Sequence, residues 1–417
     1  MIKYRIMVES LNPKVLLINP PTPFLGIQNA APHLGLGGLA SYLEINNIKT
    51  DYANYETSDP KDVILPEGYD YYGFTAVTPQ YHYAKLLKDQ VDARGLGKTI
   101  IGGAHASIMS EQCLKDGFSY VVKGYGEKAL LGIAQGHVNP AVTQGIAVEN
   151  IDDLPIPDWD QLLKSEYSFS FGDKVAHIFS TRGCPYDCFY CCSPTIYGTK
   201  VAERNITKVI DEVKILKSKY GINSLYFFDP TFTLNRDRAI TLAKELGNFG
   251  LNWTCQTRVD RVDSELLINL KQAGCNQISF GIEAGDASVH SKLGKRTDIN
   301  QNALAIKMAH DAGMTVKAFL MGALPDDTWS TVDNFKNFII NNKPDSWLYS
   351  TFIPFPGTDY WNNPEKHGIE IVCHDSRAYY PLGLNAKGPV NIKTPNMSRD
   401  DLVKLRNDVL DFLRKEV

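Results

Sequence analysis

Two α/β units in series are what this sequence predicts: a Rossmann-like or flavodoxin-like parallel sheet, then a partial (β/α)6 version of the TIM-like barrel, then a short α-rich tail. Three observations carry that reading. Short continuous apolar runs alternate with stretches of helical periodicity along most of the chain. From residue 177 onward a unit of strand, loop, helix and glycine recurs. At 417 residues the chain is too long for one ordinary core and suits two domains of roughly 150 to 200 residues.

In the first unit, residues 15–19 (VLLIN) form an apolar run ending in Pro20-Pro21, and 35–47 carry Leu36, Leu39 and Leu43 on one helical face. Further strands are expected at 50–55, 72–77, 99–102 and 120–123, with helices near 83–93, 107–115 and 127–134. Apolar strands alternating with helices imply a parallel sheet covered on both faces, with ligands beyond the C-terminal strand ends. Residues 136–175 read as a connection, because the prolines of Asp152-Asp153-Leu154-Pro155-Ile156-Pro157-Asp158-Trp159 forbid continued helix. The domains are set at 1–140, a linker at 141–174, the barrel at 175–355 and the tail at 356–417.

Strands of the second unit are expected at 177–180, 224–228, 253–257, 277–281, 315–321 and 346–352, and helices near 206–219, 237–248, 264–273, 300–312 and 331–341. Ile206, Val209, Ile210, Val213 and Leu216 make an apolar stripe at the helical period. Gly221, Gly250, Gly274 and Gly313 each stand just past a helix, where a left-handed capping residue is wanted. Six such units make an open barrel whose active site belongs at the C-terminal strand ends. The tail ends in a helix at 399–415.

Hydrophobic content of 43% with 22% charged residues is that of an ordinary globular protein. A net charge of −4 and a pI near 6.2 supply no general field for a polyanion, so nucleic acid is a weak candidate as partner. The segment MIKYRIMVESLNPK lacks the apolar stretch of a signal peptide, and no window approaches the length of a membrane span, which places the protein in the cytoplasm.

Four of the eight cysteines fall within nine residues, in Thr181-Arg182-Gly183-Cys184-Pro185-Tyr186-Asp187-Cys188-Phe189-Tyr190-Cys191-Cys192. In a reducing compartment such crowding points to metal or redox chemistry. A C-x3-C-x2-C array on one loop can ligate three irons of a four-iron cluster and leave the fourth iron open for a substrate or cofactor. Zinc is the bland alternative, but zinc sites usually pair two C-x2-C knuckles, and no second knuckle exists here. Cys192 reads as a neighbouring thiol, and Cys113, Cys255, Cys275 and Cys373 as structural.

With Tyr190 standing before the third cysteine, this array resembles the defining motif of the radical S-adenosylmethionine (SAM) superfamily. The resemblance runs on through Phe227-Phe228-Asp229-Pro230-Thr231-Phe232-Thr233, Thr257-Arg258-Val259-Asp260, Ser279-Phe280-Gly281-Ile282-Glu283-Ala284-Gly285 and Lys317-Ala318-Phe319-Leu320-Met321-Gly322-Ala323-Leu324-Pro325. It implies a 4Fe-4S cluster on Cys184, Cys188 and Cys191, with SAM held among Tyr190, Asp229, Arg258, Glu283, Lys317 and Gly322. Arg258 and Glu283 are the candidates for the SAM carboxylate and its ribose or amino group; the alternative for each is a salt bridge at the barrel rim. Asp326-Asp327 departs from the family, which often has a glycine after the proline.

Asn19-Pro20-Pro21, Gly35-Leu36-Gly37-Gly38, Gly102-Gly103-Ala104-His105 and Lys123-Gly124-Tyr125-Gly126-Glu127 together resemble the cobalamin-binding domain found ahead of many radical SAM barrels. By that resemblance Pro20, Gly37, Thr78, Gln80, Gly103, His105, Gly126 and Glu127 are candidate cobalamin contacts. His105 could equally cap the helix that follows it. The D-x-H-x-x-G array is missing, so no histidine is expected below the cobalt.

The resemblance implies a cobalamin-dependent radical SAM enzyme, most of whose members with known chemistry methylate unactivated carbon or phosphorus by way of a 5'-deoxyadenosyl radical and methylcobalamin. A cyclase, ring-contraction or rearrangement enzyme with the same cofactors is the alternative. An RNA methylthiotransferase fits less well, lacking that group's extra cysteine triad, and a cobalamin-binding or redox-sensing module would have no need of the SAM-pocket segments. A small or medium-sized substrate and a low-potential donor of the flavodoxin or ferredoxin type complete the expectation. Tyr360, Trp361, Tyr379 and Tyr380 in the tail could wall the substrate or simply pack.

Overall fold

The computed structural model describes residues 13–137, 141–165, 167, 174–380 and 388–416. The amino-terminal segment read as lacking a signal peptide lies outside them up to residue 12. Two compact units emerge, Met1–Thr22 with His33–Glu166, and Pro23–Pro32 with Tyr167–Val417.

The first unit is one parallel sheet of β1 (Lys14–Asn19), β2 (Lys49–Asn54), β3 (Tyr71–Thr75), β4 (Lys98–Gly102), β5 (Tyr120–Gly124) and β6 (Val142–Gly145), in the order β2-β1-β3-β4-β5-β6. Its helices are α1 (Leu34–Ile45), α2 (Tyr81–Arg94), α3 (Gly103–Ile108), α4 (Ser110–Lys115), α5 (Glu127–Ala134) and α6 (Trp159–Leu162). The run VLLIN is apolar throughout because both faces of β1 are covered: Val15 and Leu17 pack with Leu36, Ala40 and Leu43 of α1, while Leu16 and Ile18 pack with Ala84, Leu87 and Val91 of α2. The order is flavodoxin-like and reverses between β1 and β3, which puts the ligand crevice beyond the carboxyl ends of those two strands.

Two expectations change here. Part of the span read as a connection belongs to this unit: β6 adds a sixth strand, and α6 buries Trp159 and Leu162, one helical turn apart, to 2% and 0% exposure. The strand VTQG has no apolar run to betray it, since it lies at the sheet edge. Residues 107–115 are not one helix: α3 begins at Gly103, directly on the end of β4, and Met109 (φ −110, ψ 40) separates it from α4. Gly103 makes the abrupt start possible, with φ +87 and no room for a side chain beside Thr75 Oγ1.

In the second unit β7 (Val175–Ile178) is followed by a short antiparallel ribbon of β8 (Thr181–Arg182) and β9 (Ala202–Glu203). Next come β10 (Ser224–Phe227), β11 (Asn252–Thr257), β12 (Cys275–Glu283), β13 (Thr315–Gly322) and β14 (Ser346–Thr351), while β15 (Glu370–Ile371) pairs with β16 (Ile392–Lys393) in the tail. Strands β14-β13-β12-β11-β10-β7 form one parallel sheet that curls into a half-barrel. The helices are α7 (Ser193–Tyr197), α8 (Ile206–Tyr220), α9 (Arg236–Gly247), α10 (Ser264–Gln272), α11 (Ala287–Ser291), α12 (Ile299–Asp311), α13 (Trp329–Asn342), α14 (Asp359–Asn362) and α15 (Arg399–Glu416).

Side-chain caps start these helices where the strand-to-helix loops end: Asn205 for α8, Asp263 for α10, Asp298 for α12 and Thr328 for α13. Gly221, Gly250, Gly274 and Gly313 all take the left-handed φ expected of them. Along β13 the residues alternate. Val316, Ala318 and Leu320 are buried on the helix-covered side, while Lys317, Phe319 and Met321 on the concave side are half-buried. Leu402, Leu405, Val409 and Leu410 of α15 are buried, and that helix packs on α13. Among the described residues no helix is long and apolar enough to cross a membrane.

Candidate active site

The cysteine loop leaves the sheet at β7, and a buried carboxylate sets its starting point. Asp229, just past β10 and 0% exposed, accepts the Ser180 amide at 2.7 Å, the Thr181 amide at 3.2 Å and the Ser180 hydroxyl. Both of its oxygens are spent on the loop, so it positions the cysteines and does not join the other expected SAM contacts. Gly183 follows with φ +95, and a Cβ there would lie 2.3 Å from the Lys200 carbonyl oxygen, so only glycine lets the loop turn against the segment that leads into β9.

Cys184, Cys188 and Cys191 come off this loop half-exposed. Burial pushes all three thiols up, and each feels another of the set: Cys184 feels Cys188, Cys188 feels Cys191, and Cys191 feels Cys184. Among the described residues no three His, Cys, Asp or Glu side chains converge as they would on one metal ion. A four-iron cluster makes no such demand, because each thiolate ligates a different iron. Three neighbouring thiols on one glycine-turned loop at the barrel mouth fit that cluster. Cys192 turns elsewhere, its sulfur 4.0 Å from the Pro356 carbonyl oxygen.

Above the loop three expected residues meet. The Tyr190 hydroxyl donates to Glu283 Oε1 at 3.0 Å, and the Glu283 backbone has φ +65, rare for a residue with a side chain, at an irregularity of register between β12 and β13. Arg258, just past β11, points Nη1 at Cys188 Sγ, 3.7 Å away, and lies 3.8 Å over the Tyr186 ring. Both residues are also ion-paired, as their alternative reading anticipated. Arg258 Nε holds Asp260 Oδ1 at 2.8 Å, and Glu283 Oε1 takes Lys295 Nζ at 2.7 Å, which leaves Glu283 Oε2 without a protein partner among the described residues.

Lys295 was not legible beforehand. It links the site's parts, donating to Glu283 and to the Gly281 carbonyl at 2.6 Å while its own carbonyl accepts from Arg258 Nη2 at 2.7 Å. Its loop also clasps the cysteines: the Phe189 amide donates to the Leu293 carbonyl, the Phe189 ring covers Gly294, and Arg296 pairs with Asp187 at 2.8 Å. The only sequence signal was a glycine followed by two basic residues, a pattern too common to single out.

The last two expected SAM residues stand apart. Gly322 ends β13 with its Cα against the Tyr349 hydroxyl, which would lie 1.6 Å from a Cβ. Lys317 is on the concave face but five residues earlier, roughly 16 Å down the strand at ~3.3 Å per residue. The tail braces the cysteine loop from outside: Thr195 Oγ1 donates to the Gly357 carbonyl at 2.8 Å, and Tyr360 donates its amide to the Phe189 carbonyl at 3.4 Å. Tyr360 and Tyr379 are each 1% exposed and so are packing residues.

In the first unit, most of the expected cobalamin contacts stand just past the carboxyl ends of β1, β3, β4 and β5. Gln80, 4% exposed, donates to Asn19 Oδ1 at 2.9 Å and to the Pro20 carbonyl at 2.8 Å, tying β1 to the turn after β3. Thr78 lies 3.4 Å from His105 Nδ1. His105 does not cap its helix; it sits inside α3, stacked on Tyr81 at 4.0 Å between ring centroids, and burial lowers its pKa to about 4. Its Nε2 is buried without a partner among the described residues. Gly37 is covered by Leu162, 2.6 Å from where a Cβ would be, and so serves packing of α6. Gly126 lies against Leu39, and Glu127 is buried in the first turn of α5. The small and hydroxyl residues of this edge, with the neutral imidazole, fit a large ligand rich in amide groups such as cobalamin.

Comparison with known proteins agrees with both halves. Residues 178–339 match the model of the radical SAM superfamily, and residues 26–134 that of the B12 binding domain. An uncharacterised methyltransferase of Pyrococcus horikoshii is 29% identical over 383 residues, 84% of this chain and 82% of that protein. The anaerobic magnesium-protoporphyrin IX monomethyl ester cyclase of Rubrivivax gelatinosus is 25% identical, over 91% of this chain and 70% of that protein. Among solved structures, the radical SAM methyltransferase TsrM of Kitasatospora setae, with cobalamin and a 4Fe-4S cluster bound, superposes with a TM-score of 0.71 at 16% identity, covering 97% of this chain and 89% of that one. At that identity the likeness is one of fold. The protein is an enzyme whose cofactors are a 4Fe-4S cluster, SAM and cobalamin, and the chain carries a radical SAM domain behind a B12-binding domain.

Proposed function

We propose that this protein is a cobalamin-dependent radical SAM methyltransferase acting on an unactivated carbon, or on phosphorus, of a small or medium-sized molecule. The observation that carries the reading is the clasped three-cysteine loop at the mouth of the half-barrel, with the Tyr190–Glu283–Lys295 group and Arg258 gathered beside it, in a chain that also carries a B12-binding domain. When bound, the cofactors supply the electron, the 5'-deoxyadenosyl radical and the transferable methyl group.

This chain's own residues bind and orient. Cys184, Cys188 and Cys191 would hold the cluster, and Glu283 Oε2 and the Nη1 of Arg258 would be available to the amino, carboxylate or ribose groups of SAM. Tyr190 and Lys295 fix the Glu283 carboxylate so that it need not reorganise when SAM arrives. In the first unit Pro20, Thr78, Gln80, Gly103, His105, Gly126 and Glu127 border the cobalamin crevice. His105, stacked on Tyr81 with its Nε2 unpartnered among the described residues, would meet the bound cobalamin as one of these residues. A flavodoxin- or ferredoxin-type donor and a reducing compartment such as the cytoplasm go with this chemistry.

The experiment is anaerobic reconstitution of the full chain with iron, sulfide and hydroxocobalamin, then SAM with a low-potential reductant, assayed for S-adenosylhomocysteine and 5'-deoxyadenosine. Both products are expected, from about four irons and one corrin per chain. 5'-Deoxyadenosine alone would replace methyl transfer by a cyclase or rearrangement reaction. Neither product from a cluster-loaded protein would overturn the radical reading.

A further inference from the structure

The half-barrel carries a polar row across its concave face that the cluster site does not use. Gln256 on β11 pairs in register with Ser279 on β12, Ser279 with Lys317 on β13, and Lys317 with Ser346 on β14. In parallel strands residues so paired point to the same face, so four polar side chains stand at one level, neighbours separated by about 4.8 Å. One level further from the strand exits lie Tyr226, Thr254, Gln277 and Thr315. The Tyr226 hydroxyl donates to Gln256 Oε1 at 3.2 Å, and burial pushes the phenol up to about 12.

Two features of this floor are unusual for barrel packing. Lys317 is a half-buried cation that makes no hydrogen bond or ion pair among the described residues, and its pKa is lowered by burial alone. Neither row contains a carboxylate to balance it. The hydroxyls of Thr254, 1% exposed, and Ser346 are buried without partners among the described residues. Groups left in this state are costly in a folded protein unless something completes them. Apolar residues would have packed the same space at no such cost.

We infer that this floor is a subsite for an anionic group, a carboxylate or phosphate, on the substrate, with Lys317 as its cation and Ser279, Ser346 and Gln256 as neutral partners. The inference rests on the radical SAM reading and names the substrate class for it. A molecule anchored there is held by an end remote from the strand exits, so that another part of it lies toward the cluster end of the half-barrel. His177, Tyr226 and Phe228, in mutual ring contact with centroids 4.7 to 5.2 Å apart, line the β7 and β10 side of the same face with flat apolar surface. The subsite therefore suits a small acid or phosphate ester that also carries an unsaturated or ring portion.

The test is calorimetric titration of the reconstituted full chain with inorganic phosphate and, separately, with acetate, for wild type, Lys317→Met and Lys317→Arg, alongside SAM cleavage without substrate. Lys317→Met removes a half-buried, unpaired charge and should fold at least as well as wild type. Wild type is expected to bind one equivalent of at least one probe; Lys317→Met should weaken it about tenfold or more, and Lys317→Arg should retain it. Preference for phosphate or for acetate tells which anion the subsite serves. SAM cleavage should be unchanged in all three proteins. No binding by wild type, undiminished binding by Lys317→Met, or loss of SAM cleavage with Lys317→Met would each overturn the subsite. Anion binding that depends on Lys317 in a wild type unable to cleave SAM would instead retire the radical reading and leave the subsite standing.

Discussion

The ammonium of Lys295 lies 2.7 Å from the Glu283 carboxylate with only 3% of its side chain exposed, and the glutamate it holds is the one whose backbone takes φ +65. A buried pair of this kind adds little over an apolar replacement but is expensive to break from one side, by about 3 to 5 kcal/mol. Lys295→Met should therefore destabilise the protein by that order. Lys295→Met with Glu283→Gln should recover part of the loss while still impairing SAM binding. Denaturant unfolding of the single and double variants measures this, and equal stability of Lys295→Met and wild type would show that the pair is not load-carrying.

The four neighbouring cysteines should separate cleanly. Alanine at Cys184, Cys188 or Cys191 is expected to abolish the 4Fe-4S cluster and SAM cleavage. Cys192→Ala should keep iron content and cleavage, because that sulfur faces the Pro356 carbonyl and burial holds its thiol up at about 12. Iron and sulfide analysis after anaerobic reconstitution decides; cluster loss in the Cys192 variant would mean that the ligand set has been misassigned.

Asp229 reaches the cluster only through the backbone that it anchors. Asp229→Asn puts an amide donor against the Ser180 and Thr181 donors, and should cost on the order of 1 to 3 kcal/mol and lower iron occupancy without changing the cysteines. A variant that loads iron normally at unchanged stability would rule out the anchoring role.

Asp327 is buried near the exit of β13, where burial pushes its carboxyl up to about 7 from an ordinary 3.8. Its folded pKa is the higher one, so the folded state keeps a proton that the unfolded chain releases, and stability from this group is lost as pH rises from about 4 to about 7. Asp327→Asn should stabilise the protein by a few kcal/mol near pH 7 and by little near pH 4. The same gain at both pH values in urea unfolding would mean that the carboxyl is not held protonated.

Local pattern determined much of this protein by itself. The alternation of apolar runs with helical stripes specified both parallel sheets nearly strand for strand, because a strand covered on both faces must be apolar throughout, as β1 is. The glycines after the helices told where those helices stop, and C-x3-C-x2-C on one loop singled out the three cysteines proposed as cluster ligands, since all three lie within eight residues. The edge strand β6 and the short helix α6 were not legible, the one too polar and the other too brief for periodicity to show.

Only the tertiary structure decided which polar residues work together. Lys295 joins Glu283 from twelve positions away, and Asp229 serves Ser180 across forty-nine. Lys317, in a strand that resembles the family's SAM-lining segment, falls well below the exits into a row with Gln256, Ser279 and Ser346. Sequence carries each residue's chemistry and its period along one element; which side chains from different strands meet at one level is set by the register of the sheet, and register arises only when the whole unit packs.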